Sequence, residues 1–201
     1  MTRYLIILLL FSLSQSTGDW QLKKEKDGIS IYTRKVEGSN FLEFKAITTI
    51  DKVLLMDVLD ILLDVENYDK LYADCMNPKL LKKEGNFYDI HYIQTKGVLT
   101  LKDRDGIYEQ KTVIDNNGKH ALVSLKPLPD YIDVYKNCVR IRDGSGFWEL
   151  EDMGKGTVKV IYQFHGEPGG EIPAWLVNRF VVSHPLKTIK NLKERLNTNL
   201  K

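Results

Sequence analysis

The sequence predicts an α+β fold in which a curved antiparallel sheet is covered by one long C-terminal helix. Three observations predict it. Short strand patterns recur between turn residues through most of the chain, helical spacing interrupts them near residues 51–72, and an amphipathic segment follows Gly169-Gly170. At 201 residues and 43% hydrophobic, the chain has room for one domain with a sizeable core. A curved sheet covered by one helix encloses an internal cavity more readily than it presents a catalytic loop.

The first 17 residues are typical of a signal peptide. Arg3 precedes the apolar run 5–11, and small or polar residues follow at 12–18. The run is well short of the roughly 20 residues that a bilayer span requires, so a retained anchor is only the alternative. We expect an exported protein, periplasmic or secreted, with residues 1–17 removed and one domain at 18–201.

The composition of the chain limits the classes of partner and cofactor that we expect. Without Arg3, basic residues outnumber acidic residues by one, and no nucleic-acid partner is expected because phosphate recognition needs a concentrated basic face. The four histidines are scattered, and Cys75 and Cys138 lack the spacing of a zinc site, so no metal and no cofactor is expected. In an oxidising compartment Cys75 and Cys138 are either bridged or two separate buried thiols, and both alternatives stay open.

The elements follow in order. Strand patterns at 20–23, 29–36 and 41–50 open the chain, with Gly28 suited to a turn that needs positive φ. Asp51 is predicted to cap a helix over 53–63, and a second short helix is predicted at 66–72. Two helices thus interrupt the sheet after its third strand.

Strand patterns then resume and continue almost to the C-terminal segment. They cover 78–83, 86–94, 104–114, 119–126, 139–142, 147–152 and 157–165. Turn residues rich in Gly, Asn and Asp separate them. Short, regular spacing of this kind predicts a mostly antiparallel and strongly curved sheet.

The C-terminal helix has one apolar face to bury. At 100° per residue, this face holds Val181, Val182, Leu186, Ile189, Leu192 and Leu196. Pro185 is predicted to kink the helix. Leu176 and Phe180 lie off this face, and they are predicted either to pack on a neighbouring loop or to contact a ligand or a membrane at a cavity mouth.

The strand that begins at Arg104 carries an unusual charge. Alternation places Arg104, Gly106 and Tyr108 on one face, and Asp105 and Ile107 on the other. If the first face is inward, the Arg104 guanidinium lies beside an apolar cavity, where burial without partners is costly. Such a group either anchors two strands or holds the head group of a ligand.

The order of elements is that of a helix-grip fold, and particular residues narrow the resemblance. They are Trp20-x-Leu22, Gly28-Ile29-x-Ile31-Tyr32-x-Arg34, Arg104-Asp105 and Gly169-x-x-Ile172-Pro173-x-Trp175-Leu176-Val177-Asn178. Over residues 20–199 the chain resembles START domains, the lipid-transfer domains related to steroidogenic acute regulatory protein, and among them the exported bacterial members. The resemblance implies a deep tunnel between sheet and C-terminal helix that holds one lipid or sterol-like molecule. A loop at 95–101 would close the tunnel together with that helix.

We predict the site residues from strand alternation, the apolar helix face and this resemblance together. The predicted ligand-lining residues are His91, Arg104, Tyr108, Val123, Leu125, Trp148, Leu150, Val160, Tyr162, Trp175 and Val182, with Tyr92 as the alternative to His91. The predicted gate residues are Val98, Leu99, Leu176 and Phe180. Plain core packing is the alternative for each lining residue.

The chain departs from the family pattern in three places. Tyr68 stands where a tryptophan is usual, and residues 99–103 replace a proline-rich run. In the family, the arginine of the Arg-Asp pair meets an acidic partner on the preceding strand. Here that strand offers His91, with Asp89 on the same face. We therefore do not transfer the family's ligand chemistry to this chain.

The function expected from these features is non-enzymatic lipid binding and transfer by a monomer that meets membrane surfaces transiently. Burying a lipid chain gains about 0.8 kcal/mol per CH₂, which gives strong binding without catalysis. One alternative is a cyclase or hydrolase on the same fold, with His91 as general base and Arg104 or Tyr108 polarising a carbonyl. Another is a structural or partner-binding envelope protein whose cavity is filled by side chains.

Overall fold

A computed structural model describes residues 18–97, 101–115 and 117–199. Ten strands and three α-helices lie in this part of the chain. The strands are β1 (Gln21–Lys26), β2 (Ile29–Lys35), β3 (Leu42–Asp51), β4 (Cys75–Glu84), β5 (Tyr88–Thr95), β6 (Asp103–Ile114), β7 (His120–Pro127), β8 (Cys138–Arg140), β9 (Asp143–Gly154) and β10 (Thr157–Glu167). The helices are α1 (Leu55–Leu62), α2 (Ala174–Asn178) and α3 (Phe180–Asn199), with a 3₁₀ helix at Val65–Lys70.

The strands form one curved sheet in the order β1-β2-β3-β10-β9-β7-β6-β5-β4. All pairs along this path are antiparallel, and the short β8 pairs in parallel with the start of β6. The predicted fold class is confirmed: α1 and the 3₁₀ helix are inserted after the third strand, and α3 crosses the inner face of the sheet.

The start of α1 differs from its prediction. Asp51 is the last residue of β3, because β3 stays paired with β10 through the register Thr157↔Asp51. The helix begins at Leu55, and the Asp57 carboxylate accepts a hydrogen bond of 2.7 Å from the Leu54 N–H. The prediction that Asp51 caps this helix is wrong, since local helical spacing cannot report how far a strand remains paired.

The C-terminal helical segment is present, and it has a break at Arg179 that the sequence did not predict. Arg179 separates α2 from α3, and α3 continues across Pro185. Ile189, Leu192 and Leu196 of the predicted apolar face are buried. Val182 and Leu186 are partly buried against the same core. None of the helices within the described ranges is long and apolar enough to cross a membrane.

Each face of the sheet has its own apolar cluster, and the two cysteines are divided between the faces. Cys75 belongs to the inner cluster under α1 and α3. Cys138 interacts with Tyr92, which packs with Ile90 and Ile107 on the outer face. Both thiols are free in the structure, because the sheet separates them. Burial raises the pKa of the Cys75 thiol to about 12, so this thiol stays protonated at neutral pH.

Candidate functional site

Two adjoining cavities lie between the inner face of the sheet and the N-terminal half of α3. The outer cavity has a volume of about 250 Å³ and the inner cavity about 200 Å³. They lie side by side, because six residues line both: Phe44, Thr95, Ile141, Phe164, His184 and Pro185. Together they fall in the size range typical of small-molecule sites. The space is therefore not filled by side chains of the described residues.

Glycines on the inner face create this hollow. On β9 and β10, Gly146 pairs with Phe164, and a Cβ at Gly146 would lie 2.6 Å from the Phe164 ring. A Cβ at Gly166 would lie 2.8 Å from the same ring. On β6, a Cβ at Gly106 would lie 2.6 Å from the ring of Tyr108. The rings of Phe164 and Tyr108 thus lie where larger residues at these three positions would place their side chains. The space between these rings and α3 stays open.

A polar network lies behind the inner cavity. The Nδ1–H of His91 donates to Asp89 Oδ1 over 2.7 Å, and Gln110 Nε2 donates to Asp89 Oδ2 over 2.9 Å. The Tyr68 hydroxyl lies 2.6 Å from the carbonyl of Leu62 and 3.0 Å from Gln110 Oε1. Tyr68, at the position where the family usually has tryptophan, thereby anchors α1 to β6. Asp89 serves His91 and Gln110 and makes no contact with Arg104.

Arg104 lies on the inner face and lines the outer cavity, as alternation from the strand start predicted. Its guanidinium donates to three backbone carbonyls: Lys102 at 2.6 Å, Pro168 at 3.4 Å and Gly169 at 3.5 Å. Only the first of these is short. Burial lowers the pKa of Arg104, and the Asp103 carboxylate partly offsets this effect. The group is a cation that shares a cavity wall with mostly apolar side chains.

A second arginine lies directly behind it on the outer face. Arg140 forms a two-pronged ion pair with Asp105, with both nitrogen–oxygen distances at 2.9 Å. Its remaining donors bind the carbonyls of Pro129, Ile132 and Asp133. Arg140 and Asp105 are both buried, so this pair is fully compensated and serves to hold residues 129–133 against the sheet.

Helices α2 and α3 provide the opposite wall of the outer cavity. Leu176 and Phe180, which were predicted as gate residues, line this cavity. The backbone N–H of Leu42 donates to Asn178 Oδ1 at 3.1 Å, which ties the end of α2 to β3. Further along, His184 Nε2 lies 3.0 Å from the Asp74 carboxylate without the alignment of a hydrogen bond.

The predicted lining residues divide into three groups. Four line the inner cavity and one the outer cavity, while four others lie in the packed core. These groups are His91, Tyr108, Leu125 and Tyr162; Arg104; and Val123, Trp148, Leu150 and Val160. For the packed four, the alternative of plain core packing describes their position. Tyr92, the alternative to His91, lies on the outer face.

The predictions for Trp175 and Val182 need correction, and those for Val98 and Leu99 fall outside the described residues. Trp175 was predicted to face the interior, but its side chain is 64% exposed and lines neither cavity. The first turn of α2 instead turns Leu176 inward, because the break at Arg179 changes the phase that a single helix from Trp175 would have. Val182 is partly buried on the core and lines neither cavity. Val98 and Leu99 lie outside the described residues.

Sequence reasoning missed much of the apolar lining. The missed residues are Phe41, Leu42, Phe44, Tyr72, Ile93, Ile141, Phe164, Ile172, Val177 and Pro185. Phe44 and Phe164 face each other across β3 and β10. The spacing of glycines could have indicated the cavity. Strand positions without an inward side chain are marked by Gly144 and Gly146, two residues apart, and by Gly166, two residues after Phe164.

The geometry limits the chemistry that this cavity supports. His91 pairs with Tyr108 in the sheet, and Arg104 pairs with Thr95, four residues along. The backbone positions of His91 and Arg104 are thus about 13 Å apart along the strands, at about 3.3 Å per residue. His91 lines only the inner cavity and Arg104 only the outer cavity, so the structure does not place both groups at one substrate atom, as the hypothesis of His91 as base with Arg104 polarising the same carbonyl requires. Among the described residues, no cluster of His, Cys, Asp or Glu could hold a metal ion.

Comparisons with known proteins agree with this geometry. The family model described as START domain matches residues 10–201. The chain is similar to an uncharacterized protein of Pseudomonas aeruginosa, with 35% identity covering 87% of this chain and 85% of that protein. It is 27% identical to human phosphatidylcholine transfer protein, covering 80% of this chain and 75% of that one.

A solved structure adds direct support for the fold. The crystal structure of a STAR-related lipid transfer protein fragment from Xanthomonas axonopodis superposes with a TM-score of 0.81 at 34% identity. The match covers 89% of this chain and 98% of that fragment. Family model, sequence relatives and fold agree, and the chain therefore belongs to the START domain family.

Proposed function

We propose that this chain binds one lipid or other amphipathic molecule in the combined cavity and transfers it between membranes without catalysing a reaction. The observation that carries the proposal is an unfilled, mostly apolar space between the curved sheet and α3, with a few polar groups at defined positions. Apolar walls bind hydrocarbon at about 0.8 kcal/mol per CH₂. The names of the human and Xanthomonas relatives support lipid transfer as the class of activity.

Transfer requires the cavity to open, and the two halves of α3 have different surroundings. Its C-terminal half is held to the core by Ile189, Leu192 and Leu196, and Arg195 Nη2 binds Asp64 at 2.6 Å. Its N-terminal half and α2 border the cavity. We propose that α2 and the first turns of α3 move away from the sheet to admit the ligand. The gate roles of Leu176 and Phe180, and of Val98 and Leu99, belong to this proposal.

The first experiment measures binding. The purified protein is extracted with organic solvent, the extract is examined by mass spectrometry, and uptake of a labelled lipid from vesicles is measured. Ile93→Trp fills the inner cavity, and Leu122→Trp places the same ring on the exposed opposite face as a control. We expect Ile93→Trp to reduce uptake strongly and Leu122→Trp to leave it unchanged. Absence of any extracted or acquired hydrophobic ligand in the unmodified protein contradicts the proposal.

An enzyme acting at His91 is the second candidate, favoured by the buried Asp89–His91 hydrogen bond at the cavity wall. In that case His91 would abstract a proton from a bound substrate, with the Tyr108 hydroxyl as the neighbouring donor. His91→Gln separates the two candidates. Lipid transfer predicts that this variant releases the same, chemically unchanged ligand as the unmodified protein. A substrate that accumulates only in the variant supports the enzyme.

Export and a monomeric state are further parts of the proposal. The apolar run 5–11 with its flanking residues supports removal of residues 1–17 and a periplasmic or secreted location. Transient contact with a membrane surface follows from the need to deliver an insoluble ligand. Native mass spectrometry of the protein from its host measures the mature N-terminus and the number of chains together. An intact N-terminus in the cytosolic fraction contradicts export.

A further inference from the structure

The charges around the outer cavity are unbalanced. Arg104 lines its wall, and Lys96 lies exposed at its rim. One carboxylate also lines the cavity, that of Glu167, but Glu167 Oε1 already accepts a hydrogen bond from Ser39 and lies 3.8 Å from His165 Nε2. The cavity therefore presents two basic side chains and one carboxylate, and this carboxylate forms no salt bridge with Arg104.

Among the described residues, no other carboxylate forms a salt bridge with Arg104, and Asp103 acts on its charge only from a distance. Asp103 accepts hydrogen bonds from Gln94 Nε2 at 2.7 Å and from the Gly97 N–H at 2.8 Å. Asp105 points to the outer face, where Arg140 binds both of its oxygens. Residues 1–17, 98–100, 116 and 200–201 contain no Asp or Glu, so none of the undescribed side chains supplies a carboxylate.

The hydrogen bonds of Arg104 also leave it incompletely satisfied. A guanidinium has five N–H donors, and Arg104 makes one short bond to a carbonyl and two long ones. Neutral carbonyls do not compensate the charge. A partly buried cation in this state is stabilised by an anion, and the planar fork of arginine matches the paired oxygens of a carboxylate or phosphate.

We infer that the ligand is an anionic amphiphile whose carboxylate or phosphate binds Arg104 at the outer cavity while its hydrocarbon lies in the inner cavity. The inference rests on the proposed function and names the ligand class. The hydrocarbon has a matching surface, since Tyr108, Leu125, Tyr162 and Phe164 line the inner cavity. Lys96 adds a second positive charge at the rim. The shared chemistry is the anionic head group, which both a free fatty acid and a phospholipid carry.

The test compares four single-chain probes that share a sixteen-carbon tail: hexadecanoic acid, hexadecyl phosphate, hexadecanol and hexadecylamine. Each displaces a fluorescent apolar dye from the unmodified protein. We expect the acid or the phosphate to bind at least about tenfold more tightly than the alcohol, the size of one charge-assisted hydrogen bond. The amine should bind no better than the alcohol. Tighter binding of the acid points to a fatty acid as the natural source, and tighter binding of the phosphate points to a phospholipid.

Variants assign the preference to one residue. Arg104→Gln should lose about tenfold in affinity for the anionic probes and stay within about twofold for the alcohol. Arg142→Gln removes the same charge from an exposed arginine paired with Asp130 and should change neither. Because Arg104 also binds backbone carbonyls, Arg104→Lys is the second variant. Without the fork, it should bind anions less tightly than the unmodified protein but still prefer them to the alcohol.

The outcomes separate this inference from the proposed function. If none of the four probes binds, lipid binding itself fails. If all four bind with similar affinity, lipid binding stands and the anionic ligand is overturned. If the anion preference persists unchanged in both Arg104→Gln and Arg104→Lys, the assignment to Arg104 is overturned.

Discussion

The space beneath α3 has a packed half and a hollow half, although one sheet and one helix build both. In the packed half, Ile189, Leu192 and Leu196 are buried in the same core cluster as Trp148 and Leu150. In the hollow half, Val181, His184 and Pro185 of the same helix face the cavity. The difference teaches that hydrophobic patterning alone does not distinguish core from binding site.

Two features of the sheet account for the difference. Large side chains fill the inner positions of β9 and β10 in the packed half, where Trp148 stacks on Tyr162, at the border of the inner cavity, with ring centroids 4.0 Å apart. At the other end of these strands the inner positions are glycines, Gly146 and Gly166. Side-chain ties occur at both ends: Asn191 donates to the Leu71 carbonyl and Arg195 to Asp64 at the packed end of α3, while Asn178 ties α2 to Leu42 and Lys187 lies 3.4 Å from Asp74 at the hollow end.

The largest expected effect tests this division by truncating one aromatic residue in each half. Trp148→Ala should lower the free energy of unfolding by about 3–5 kcal/mol, because Trp148 is fully buried and leaves a cavity in a rigid core. Phe164→Ala, beside an existing cavity, should cost less than about 2 kcal/mol, since its ring is only partly buried. Urea denaturation of the ligand-free proteins measures both. Equal losses would show that the halves are packed alike.

An intermediate effect is expected from filling the hollow at Gly106. The added methyl of Gly106→Ala comes within 2.6 Å of the Tyr108 ring and pushes it towards the inner cavity. Overpacking of this kind costs about 1–3 kcal/mol in the free energy of unfolding, and lipid uptake should fall because the ring takes the ligand's space. Adding Tyr108→Ala removes the clash, so the two substitutions should couple in a double-mutant cycle. Strict additivity would contradict the proposed crowding.

The smallest effect concerns the pH dependence of the free energy of unfolding, through His184, which lines both cavities. Burial lowers the pKa of His184, and Asp74 only partly offsets this. The unfolded chain therefore binds a proton more readily than the folded chain, and the contribution of His184 to stability is present above about pH 6.5 and is lost as the pH falls below it. His184→Gln should flatten the decline in stability between about pH 7 and pH 5. An unchanged slope would assign the decline to other groups.

Several features could be predicted from the sequence because short-range periodicity determines them. Alternation along β6 predicted that Arg104 and Tyr108 share the inner face, and helical spacing predicted that Ile189 and Leu192 are buried. The interruption of the sheet by two helices was predicted by the change of period near residue 51. Each of these depends on neighbours within a few residues along the chain, which local sequence reports well.

The depth of the site could not be predicted in the same way. Val123, Leu150 and Val160 lie on the inner face as alternation requires, yet they contact core rather than cavity. Whether an inward side chain meets another side chain or open space depends on what faces it from a distant strand or helix. The exposure of Trp175 likewise depends on the break at Arg179 and on the docking of α2, which no local pattern near Trp175 encodes.

The sequence by itself thus determined the elements, their order and the face on which each side chain lies, because backbone geometry and alternation are local. Only the tertiary structure decided that Asp89 binds His91 and that Asp105 binds Arg140, leaving Arg104 without a carboxylate partner. The physical reason is that an ion pair forms between the groups that the assembled sheet brings within about 3 Å, and residues adjacent in sequence point to opposite faces of a strand.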